Sequence, residues 1–248
     1  MCLILLSWQN DSEQTLTIAA NRDEFFERPT LAADFWPAHP QILAGRDLEF
    51  GGSWLGISRN GRFAAVTNLR EVEASGDRSR GDLVKNFLLS AETNQHFFEQ
   101  LEPEKSQYRP FNFIACDGDT LCYINNVEAG WQPLATGIHA IGNIPLSERN
   151  AKTQKGYHDM DSIMTGKPNH QDLLNMLQDT KPTMNAAEDI YRALSSRFVS
   201  FEGYGTRSSS IVTANKNGQW DFWEKRYATT PTQKEVLQHF SFMDDDTR

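Results

Sequence analysis

Three short turns that contain glycine, each placed between two apolar runs, constrain the fold of this 248-residue chain more than any other feature. Asn, Asp and Gly tolerate the positive φ angles that tight hairpin turns need, so each turn predicts a pair of antiparallel strands. A fourth pair is joined by a polar turn at 10–12. The predicted pairs are 54–58 with 62–67 around Asn60-Gly61, 111–116 with 121–125 around Asp117-Gly118, 211–214 with 219–224 around Asn217-Gly218, and 2–8 with 15–20.

Amphipathic runs between these hairpins predict helices. Ser79, with Asp82 three residues later, resembles a capping box ahead of an apolar stripe, and Thr93 is a candidate cap for a second short helix. Three further helices are predicted at 148–165, 170–178 and 186–196. Strands, helices, strands, helices and strands therefore follow one another, with hairpins in place of regular strand-helix-strand units. This order predicts an α+β domain in which helices cover antiparallel sheets.

The bulk properties narrow the class of protein. No linker, repeat or low-complexity tract interrupts the sequence, so we expect one domain over 1–248 with a frayed tail from about 240. The net charge is −9, and because an acidic surface repels phosphate backbones, a nucleic-acid partner is not expected. No apolar run reaches the length of a membrane span, so stable membrane insertion is not expected either. The expected partner is a small-molecule ligand, and the sequence leaves the oligomeric state open.

The cysteines and histidines argue against structural cross-links and metal centres. Three cysteines are an odd count without Cys-x-x-Cys spacing, which disfavours both a disulfide framework and a cysteine-based zinc site. The six histidines show no metal-ligand spacing, so no metal is expected. Cys116 and Cys122 flank a hairpin turn and are expected to be packing residues. The cytoplasm is the expected compartment.

Cys2 is the residue with the clearest chemical potential. Removal of Met1 by methionine aminopeptidase would leave a thiol and a free α-amine on one residue. An α-amine has a reference pKa of about 7.7–8.0, so it accepts a proton near neutral pH and can activate the thiol without a histidine. The alternative is that Cys2 is an ordinary buried cysteine of a strand.

A polar cluster, Asn21-Arg22-Asp23-Glu24, ends the second predicted strand. If this strand pairs back on the first one, its end lies beside the start of the chain. A cation there would favour the thiolate, and a carboxylate would hold or orient the α-amine. The alternative is a solvated strand-to-loop junction with incidental ion pairs.

A set of motifs from residue 2 to about 225 resembles the NRDE-domain family, the transport-and-Golgi-organisation protein 2-like proteins. The matching segments are Met1-Cys2, Ala20-Asn21-Arg22-Asp23-Glu24, Ala44-Gly45-Arg46-Asp47, Gly51-Gly52-Ser53-Trp54-Leu55-Gly56, Gly61 to Asn68, Ser79-Arg80-Gly81 and Gly205-Thr206-Arg207-Ser208. The resemblance implies an N-terminal-nucleophile (Ntn) hydrolase fold, a four-layer αββα sandwich of two antiparallel sheets between helical layers.

Within that superfamily the chain is similar to the cysteine-type amidases, and this similarity implies roles for five residues. Cys2 would be the nucleophile, with its α-amine as the base, and Asp23 would lie near that amine. Asn68 and Asn143 would help to form the oxyanion hole, since an amide donates to a developing oxyanion without losing a proton. Arg207 would be a late arginine near the thiol. Asn143 is matched by its position and context in Ala140-Ile141-Gly142-Asn143.

A second group of residues is expected to contact the substrate. In the amidases two residues separate the early arginine from the aspartate, whereas Arg22 and Asp23 adjoin here. Trp54 is expected to be either a core residue or a wall of the pocket, and Arg80 belongs to the polar residues that would surround the site. The substrate-binding set is therefore Arg22, Asn21, Glu24, Trp54 and Arg80.

Two functions are compatible with this reading. The first is hydrolysis of a linear amide C–N bond of a small molecule by Cys2, without a cofactor. The second is a non-catalytic carrier. The resemblance to the NRDE-domain family implies this alternative, because members of that family have been linked to haem trafficking. Haem would then be reversible cargo, with Cys2 or a histidine as axial ligand and arginines at the propionates, since no Cys-x-x-Cys-His attachment motif is present.

Overall fold

The computed structural model describes residues 2–9, 12–70, 76–230 and 232–245. The strands are β1 Leu3–Trp8, β2 Gln14–Phe25, β3 Thr30–Trp36, β4 His39–Asp47, β5 Leu55–Ser58, β6 Arg62–Asn68, β7 Phe111–Cys116, β8 Leu121–Asn125, β9 Trp131–Pro133, β10 Gly137–Ile141, β11 Ser200–Phe201, β12 Tyr204–Asn215, β13 Gln219–Arg226 and β14 Val236–Met243. The helices are α1 Gly81–Leu89, α2 Asn94–Glu104, α3 Ala151–Met164, α4 His170–Leu177 and α5 Asp189–Leu194, with a 3-10 turn at Lys105–Gln107.

The chain divides into two compact units. Unit 1 comprises Met1–Arg28, Thr136–Gly142 and Leu146–Ser241, and unit 2 comprises Pro29–Ala135, Asn143–Pro145 and Phe242–Arg248. The chain passes from one unit to the other several times, which explains why the sequence contains no single linker. That residues 1–248 form one domain stays a prediction.

Unit 1 is built on a sheet with the strand order β10-β1-β2-β12-β13-β14, and β11 pairs with β12. Helices α3 and α4 pack on one face of this sheet. Leu3, Leu5 and Ala19 point to that face, where they form a buried cluster with Met160 and Leu174. Because side chains alternate along a strand, the neighbours of these residues lie on the opposite face.

Helices α3 and α4 begin at well-satisfied caps. Asn150 and Thr153 form a capping box at the start of α3, and Asn169 and Asp172 form one at the start of α4. Gly156 lets α3 approach β1 closely, because a Cβ at this position would lie 2.7 Å from Leu5 Cδ2. The first turn of α3 is thereby fixed against the strands that carry the predicted site.

Unit 2 is built on a sheet in which consecutive strands are neighbours, from β3 to β9. Helices α1 and α2 cover one face of this sheet. Their apolar residues, among them Phe87 and Phe98, pack on Phe113 with ring centroids 5.5–6.0 Å apart. Aromatic contacts of this kind stabilise a core beyond the area that they bury.

Most of the predicted hairpins and helices are confirmed. The turn glycines Gly61, Gly118 and Gly218 have φ angles of +69°, +99° and +81°, as the hairpin signals require. Thr93 caps α2 by accepting a hydrogen bond from the main-chain nitrogen of His96. Residues 10 and 11 of the fourth predicted turn lie outside the described residues.

Two predictions are wrong. Ser79 does not cap α1, because the helix begins at Gly81 with Arg80 at the N-cap, and Ser79 instead accepts a bond from Asp82 N through its main-chain oxygen. Residues 240–243 are not a frayed tail, because they belong to β14, which is the neighbour of β13. His239 stabilises this strand by stacking on Trp223 at 4.4 Å.

Candidate active site

Cys2 stands directly before β1, and the first residue of that strand, Leu3, pairs with Asn21 of β2. The Cys2 Sγ atom donates a weak hydrogen bond to the main-chain oxygen of Asp23, 3.8 Å away. The cysteine is only partly buried. The predicted hairpin therefore does place the Asn-Arg-Asp-Glu motif beside Cys2.

The other two cysteines are unsuited to act as nucleophiles. Cys116 and Cys122 are both buried and free. Burial raises the pKa of the Cys116 thiol to about 12 and that of the Cys122 thiol to about 11. Both thiols therefore stay protonated at neutral pH, and the expectation that they are packing residues agrees with their surroundings.

The Asp23 carboxylate is fully buried on the helix-facing side of the unit 1 sheet. Thr206 Oγ1 donates to its Oδ1 at 2.6 Å, and the ammonium of Lys152 lies 3.6 Å from its Oδ2. Lys152, in the first turn of α3, has 8 % of its side chain exposed, compared with 0 % for Asp23. It also donates to the main-chain oxygen of Leu194 at 3.4 Å. We call Asp23, Lys152 and Thr206 the Asp23 cluster.

Sequence reasoning missed the roles of Lys152 and Thr206. Thr206 lies in the quoted Gly-Thr-Arg-Ser motif, and the register pairs it with Asp23. Nothing in the sequence around Lys152 distinguishes it from a surface lysine at a helix start. Only the packing of α3 on β1 reveals that it faces a carboxylate.

Arg207 occupies a β-bulge. The register pairs Asp23 with Thr206 and Arg22 with Ser208, so Arg207 is the extra residue between them. Its Nη1 donates to the main-chain oxygen of Phe25 at 3.2 Å and to that of Arg28. Burial, followed by the neighbouring charges of Arg22 and Arg226, lowers the pKa of Arg207 from its usual value.

Arg22 and Glu24 lie on the sheet face opposite to the Asp23 carboxylate, as strand alternation requires. Arg22 is buried. Its Nη2 is 3.8 Å from Glu24 Oε2, and Arg28 Nε is 3.7 Å from the same oxygen. Glu24 is therefore shared between two guanidinium groups.

Asn21 is buried behind the motif and has structural bonds. Its amide nitrogen donates to the main-chain oxygens of Leu177 and Arg197 at 3.0 and 2.9 Å, and its oxygen accepts a bond from Ser209 at 2.5 Å. These bonds tie β2 to the end of α4 and to β12. The predicted contact of Asn21 with substrate stays a prediction.

The two asparagines predicted for the oxyanion hole lie together in unit 2. Asn143 Nδ2 donates to the main-chain oxygen of Asn68 at 2.7 Å, and the main-chain oxygen of Asn143 accepts a bond from Arg70 at 3.1 Å. Asn143 is buried and Asn68 is exposed. Their donation to an oxyanion formed at Cys2 stays a prediction.

A neutral polar network holds the segment that carries Asn143. Asn112 Nδ2 donates to Thr67 Oγ1 at 3.1 Å and to the main-chain oxygen of Ile144 at 2.9 Å. Its oxygen accepts a bond from the Tyr123 hydroxyl at 2.5 Å. We call Asn112, Thr67 and Tyr123 the Asn112 cluster. Sequence analysis did not identify it, because its members come from three different strands.

Trp54 and Arg80, also in unit 2, have contacts that fit structural roles. Trp54 packs against the core cluster beneath α1 and α2, and a Cβ at Gly45 would lie 2.2 Å from its ring. This contact favours a core residue over a wall of the pocket. Arg80 Nη1 donates to the main-chain oxygen of Pro110 at 3.1 Å. Substrate binding by either residue stays a prediction.

Chemically, this arrangement offers a partly accessible thiol in contact with the main chain of Asp23, a residue whose carboxylate is buried and paired. Within the described residues, no three His, Cys, Asp or Glu side chains form a group that could hold a metal ion. In the same part of the chain, no helix is both long and apolar enough to cross a membrane.

Known proteins are similar to this chain over nearly its whole length. The Transport and Golgi organization protein 2 homolog of Bos taurus is 31% identical over 271 residues, which cover 96% of this chain and 98% of the relative. The Mus musculus homolog is 30% identical over 98% of this chain and 99% of its own length.

Among solved structures, the mutant C2A conjugated bile acid hydrolase from Clostridium perfringens superposes with a TM-score of 0.55 at 9% identity, over 98% of this chain and 92% of that chain. This likeness confirms the predicted α+β fold of the Ntn-hydrolase type. The family model described as Transport and Golgi organisation 2 matches residues 1–229, so the chain belongs to that family.

Proposed function

We propose that this chain is an Ntn-type cysteine hydrolase that cleaves a linear amide C–N bond of a small molecule. The observation that carries the proposal is the contact of the partly buried Cys2 thiol with the main chain of Asp23. The carboxylate of that same aspartate is held by Lys152 and Thr206. A nucleophile and its orienting groups are thus concentrated at one strand end.

The reaction follows from the groups present. Once Met1 is removed, the α-amine of Cys2 takes the thiol proton, and the thiolate attacks the amide carbonyl. The C–N bond then breaks, the leaving amine takes the proton, and a thioester remains on Cys2. Water attacks this thioester, releases the carboxylic acid and restores the thiol. One water is consumed for each amide cleaved.

The family resemblance implies that Asn143 is an oxyanion donor, and this role stays a prediction. Its amide nitrogen carries two hydrogens, and one of them is donated to Asn68. An oxyanion donor is worth about 10²–10³ in rate in other hydrolases. The comparison supports the chemistry as well, since the similar solved structure is a hydrolase whose residue 2 was changed from cysteine.

The test combines intact mass with thiol alkylation at neutral and acidic pH. We expect a mass that lacks Met1, and one alkylated cysteine in the folded protein at neutral pH. The Cys2→Ala variant should take up no label, because the two other thiols are buried with raised pKa values. A purified protein that retains Met1, or labelling that persists in Cys2→Ala, would contradict the proposal.

The carrier is the second candidate, and one observation favours it. Several arginines surround the end of β2, and guanidinium groups are suited to bind the propionates of haem. The description of the family, Transport and Golgi organisation 2, is compatible with a carrier. The test is titration with haem. A carrier would shift the Soret band, and Cys2→Ala would weaken binding at most, whereas a hydrolase would lose turnover in the same variant.

A further inference from the structure

Three polar residues form a row across neighbouring strands of the unit 1 sheet. Arg22 of β2 pairs with Ser208 of β12, and Ser208 pairs with Arg226 of β13. Residues that are directly opposite in neighbouring strands point to the same face, with Cβ atoms about 5 Å apart. Their face is opposite to α4, because the adjacent pair, Asn21 and Ser209, bond to one another on the helix side.

The middle residue of this row has an unusual environment. Ser208 is 3 % exposed, and its Oγ atom is buried without a hydrogen-bond partner among the residues that the structure describes. Buried hydroxyl groups are normally hydrogen-bonded, because a buried group without a partner costs free energy. A hydroxyl in this position, between two arginines, indicates a site that a ligand completes.

The charges around Ser208 indicate the sign of that ligand. This part of the sheet carries four guanidinium groups, those of Arg22, Arg28, Arg207 and Arg226, and two carboxylates. One carboxylate is Glu24, and the other is the buried Glu224, two residues before Arg226 on the same face. The positive charges interact with one another, since Arg22 and Arg226 both lower the pKa of Arg207. An anion bound here would relieve this repulsion.

The row also lies beside the proposed nucleophile. Leu3 pairs with Asn21 in an antiparallel register. Cys2, one residue before Leu3, therefore lies opposite Arg22, one residue after Asn21. We infer that Arg22, Ser208 and Arg226 bind an anionic group of the substrate, a carboxylate or a phosphate. This inference rests on the proposed function and narrows it to small amides that carry a negative charge close to the bond that is cleaved.

Binding can be tested without turnover in the Cys2→Ala variant of the full chain. The probes are N-acetylglycine and the neutral N-isobutylacetamide, in which two methyl groups replace the carboxylate oxygens. Calorimetric titration at low salt should show about tenfold to hundredfold tighter binding of N-acetylglycine, as expected for hydrogen bonds to a charged group. Inorganic phosphate as a competitor tells the two anionic groups apart, since a phosphate site would bind it more tightly than N-acetylglycine.

Variants then test whether the preference for the anionic probe depends on the row of Arg22, Ser208 and Arg226. Arg226→Met should reduce the ratio of the two affinities to near one, and Ser208→Ala should reduce it by about threefold to tenfold. If Arg226→Met does not fold, Arg226→Gln provides the same test. The matched control is Arg192→Met, which removes an exposed arginine paired with Asp189 and should leave the ratio unchanged. Equal affinities for both probes, or a preference that persists in Arg226→Met and Arg226→Gln, would overturn the inference.

Turnover by the wild-type chain separates this inference from the proposed function. If the Cys2→Ala chain prefers the anionic probe but the wild type cleaves neither amide, the anion site stands and the hydrolase fails. If the wild type cleaves both amides at equal kcat/KM and no binding preference exists, the hydrolase stands and the anion site fails.

Discussion

The Asp23 cluster and the Asn112 cluster use opposite means to hold a predicted site residue. In unit 1, the buried carboxylate of Asp23 faces the buried ammonium of Lys152 and the hydroxyl of Thr206. The main-chain oxygen of Asp23 accepts a hydrogen bond from the Cys2 thiol. In unit 2, a neutral amide binds a threonine, a tyrosine and the main chain next to Asn143.

The difference has an energetic consequence. A buried ion pair becomes very unfavourable when one partner is removed, because the remaining charge is left in a medium of low dielectric constant. A neutral network loses only the hydrogen bonds that are broken. The surroundings of Cys2 should therefore tolerate substitution less well than those of Asn143.

The largest effect is expected from Lys152→Met. Removing the ammonium leaves Asp23 buried opposite an apolar side chain, which should lower the free energy of unfolding by about 3–5 kcal/mol. Urea denaturation measures this change. The matched control is Lys216→Met, because Lys216 is 57 % exposed in its pair with Glu13 and exposed pairs contribute about 1 kcal/mol or less.

The double variant Lys152→Met with Asp23→Asn sharpens the comparison. It removes both charges, so it should recover part of the stability lost in Lys152→Met. Equal losses in the single and the double variant would show that the charge of Asp23 does not matter, and the proposed contrast between the two clusters would fail.

A smaller effect is expected from Asn112→Leu in the neutral network. The change removes the acceptor of the Tyr123 hydroxyl, which still accepts a bond from Asn125, and it removes a donor to the Ile144 carbonyl. It should lower the free energy of unfolding by about 1–3 kcal/mol. The same urea denaturation measures it, with Asn217→Leu in an exposed turn as the control. A loss larger than that of Lys152→Met would reverse the comparison.

The smallest effect on stability is a pH dependence, which we expect from two carboxylates of unit 1. Burial acts to raise the pKa of Asp159 and of Asp179. Hydrogen bonds from Lys155 to both carboxylates, and from Arg197 to Asp159, outweigh this effect. Both pKa values therefore lie below the usual range. A lowered carboxyl pKa contributes stability above the unfolded pKa of 3.8. That contribution is lost as the pH falls through the lower, folded pKa.

Asp179→Asn therefore tests this pH dependence. The Tm difference between wild type and variant should be present at neutral pH and should shrink below about pH 4. Because these groups are partly exposed, we expect less than about 1 kcal/mol. A difference that is constant from neutral to about pH 3 would contradict the assignment.

The sequence was sufficient to predict those elements that a few neighbouring residues determine. The glycine turns predicted the hairpins, and the hairpin of β1 with β2 predicted that Cys2 and Asp23 meet. It was insufficient where strands carry polar or alternating exposed residues. β3 and β4 were not predicted, since Asp34 and Pro40 interrupt their apolar pattern. The end of β14, residues 240–243, was mistaken for a tail because five of the eight residues of this strand are exposed.

The candidate site shows the same limit. Cys2, Arg22, Asp23 and Arg207 were predicted through motifs. The contact of Lys152 with Asp23 depends on helix packing, and the alignment of Arg22 with Ser208 and Arg226 depends on strand register. Neither property can be derived from the residues next to each of these positions. Arg226 in particular has no motif around it, and it joins the row only because β13 pairs with β12.

The bulge in β12 adds one side chain, that of Arg207, between two residues whose partners in β2 are adjacent. In a regular strand, Thr206 and Ser208 would point the same way. With Arg207 inserted between them, Thr206 meets the carboxylate of Asp23, while Ser208 joins Arg22 on the reverse side. Deleting Arg207 would make Thr206 and the serine adjacent residues of a regular strand, which also point to opposite faces. Both pairings could then be kept, and the loss would be confined to the Arg207 guanidinium and its bonds to the main-chain oxygens of Phe25 and Arg28.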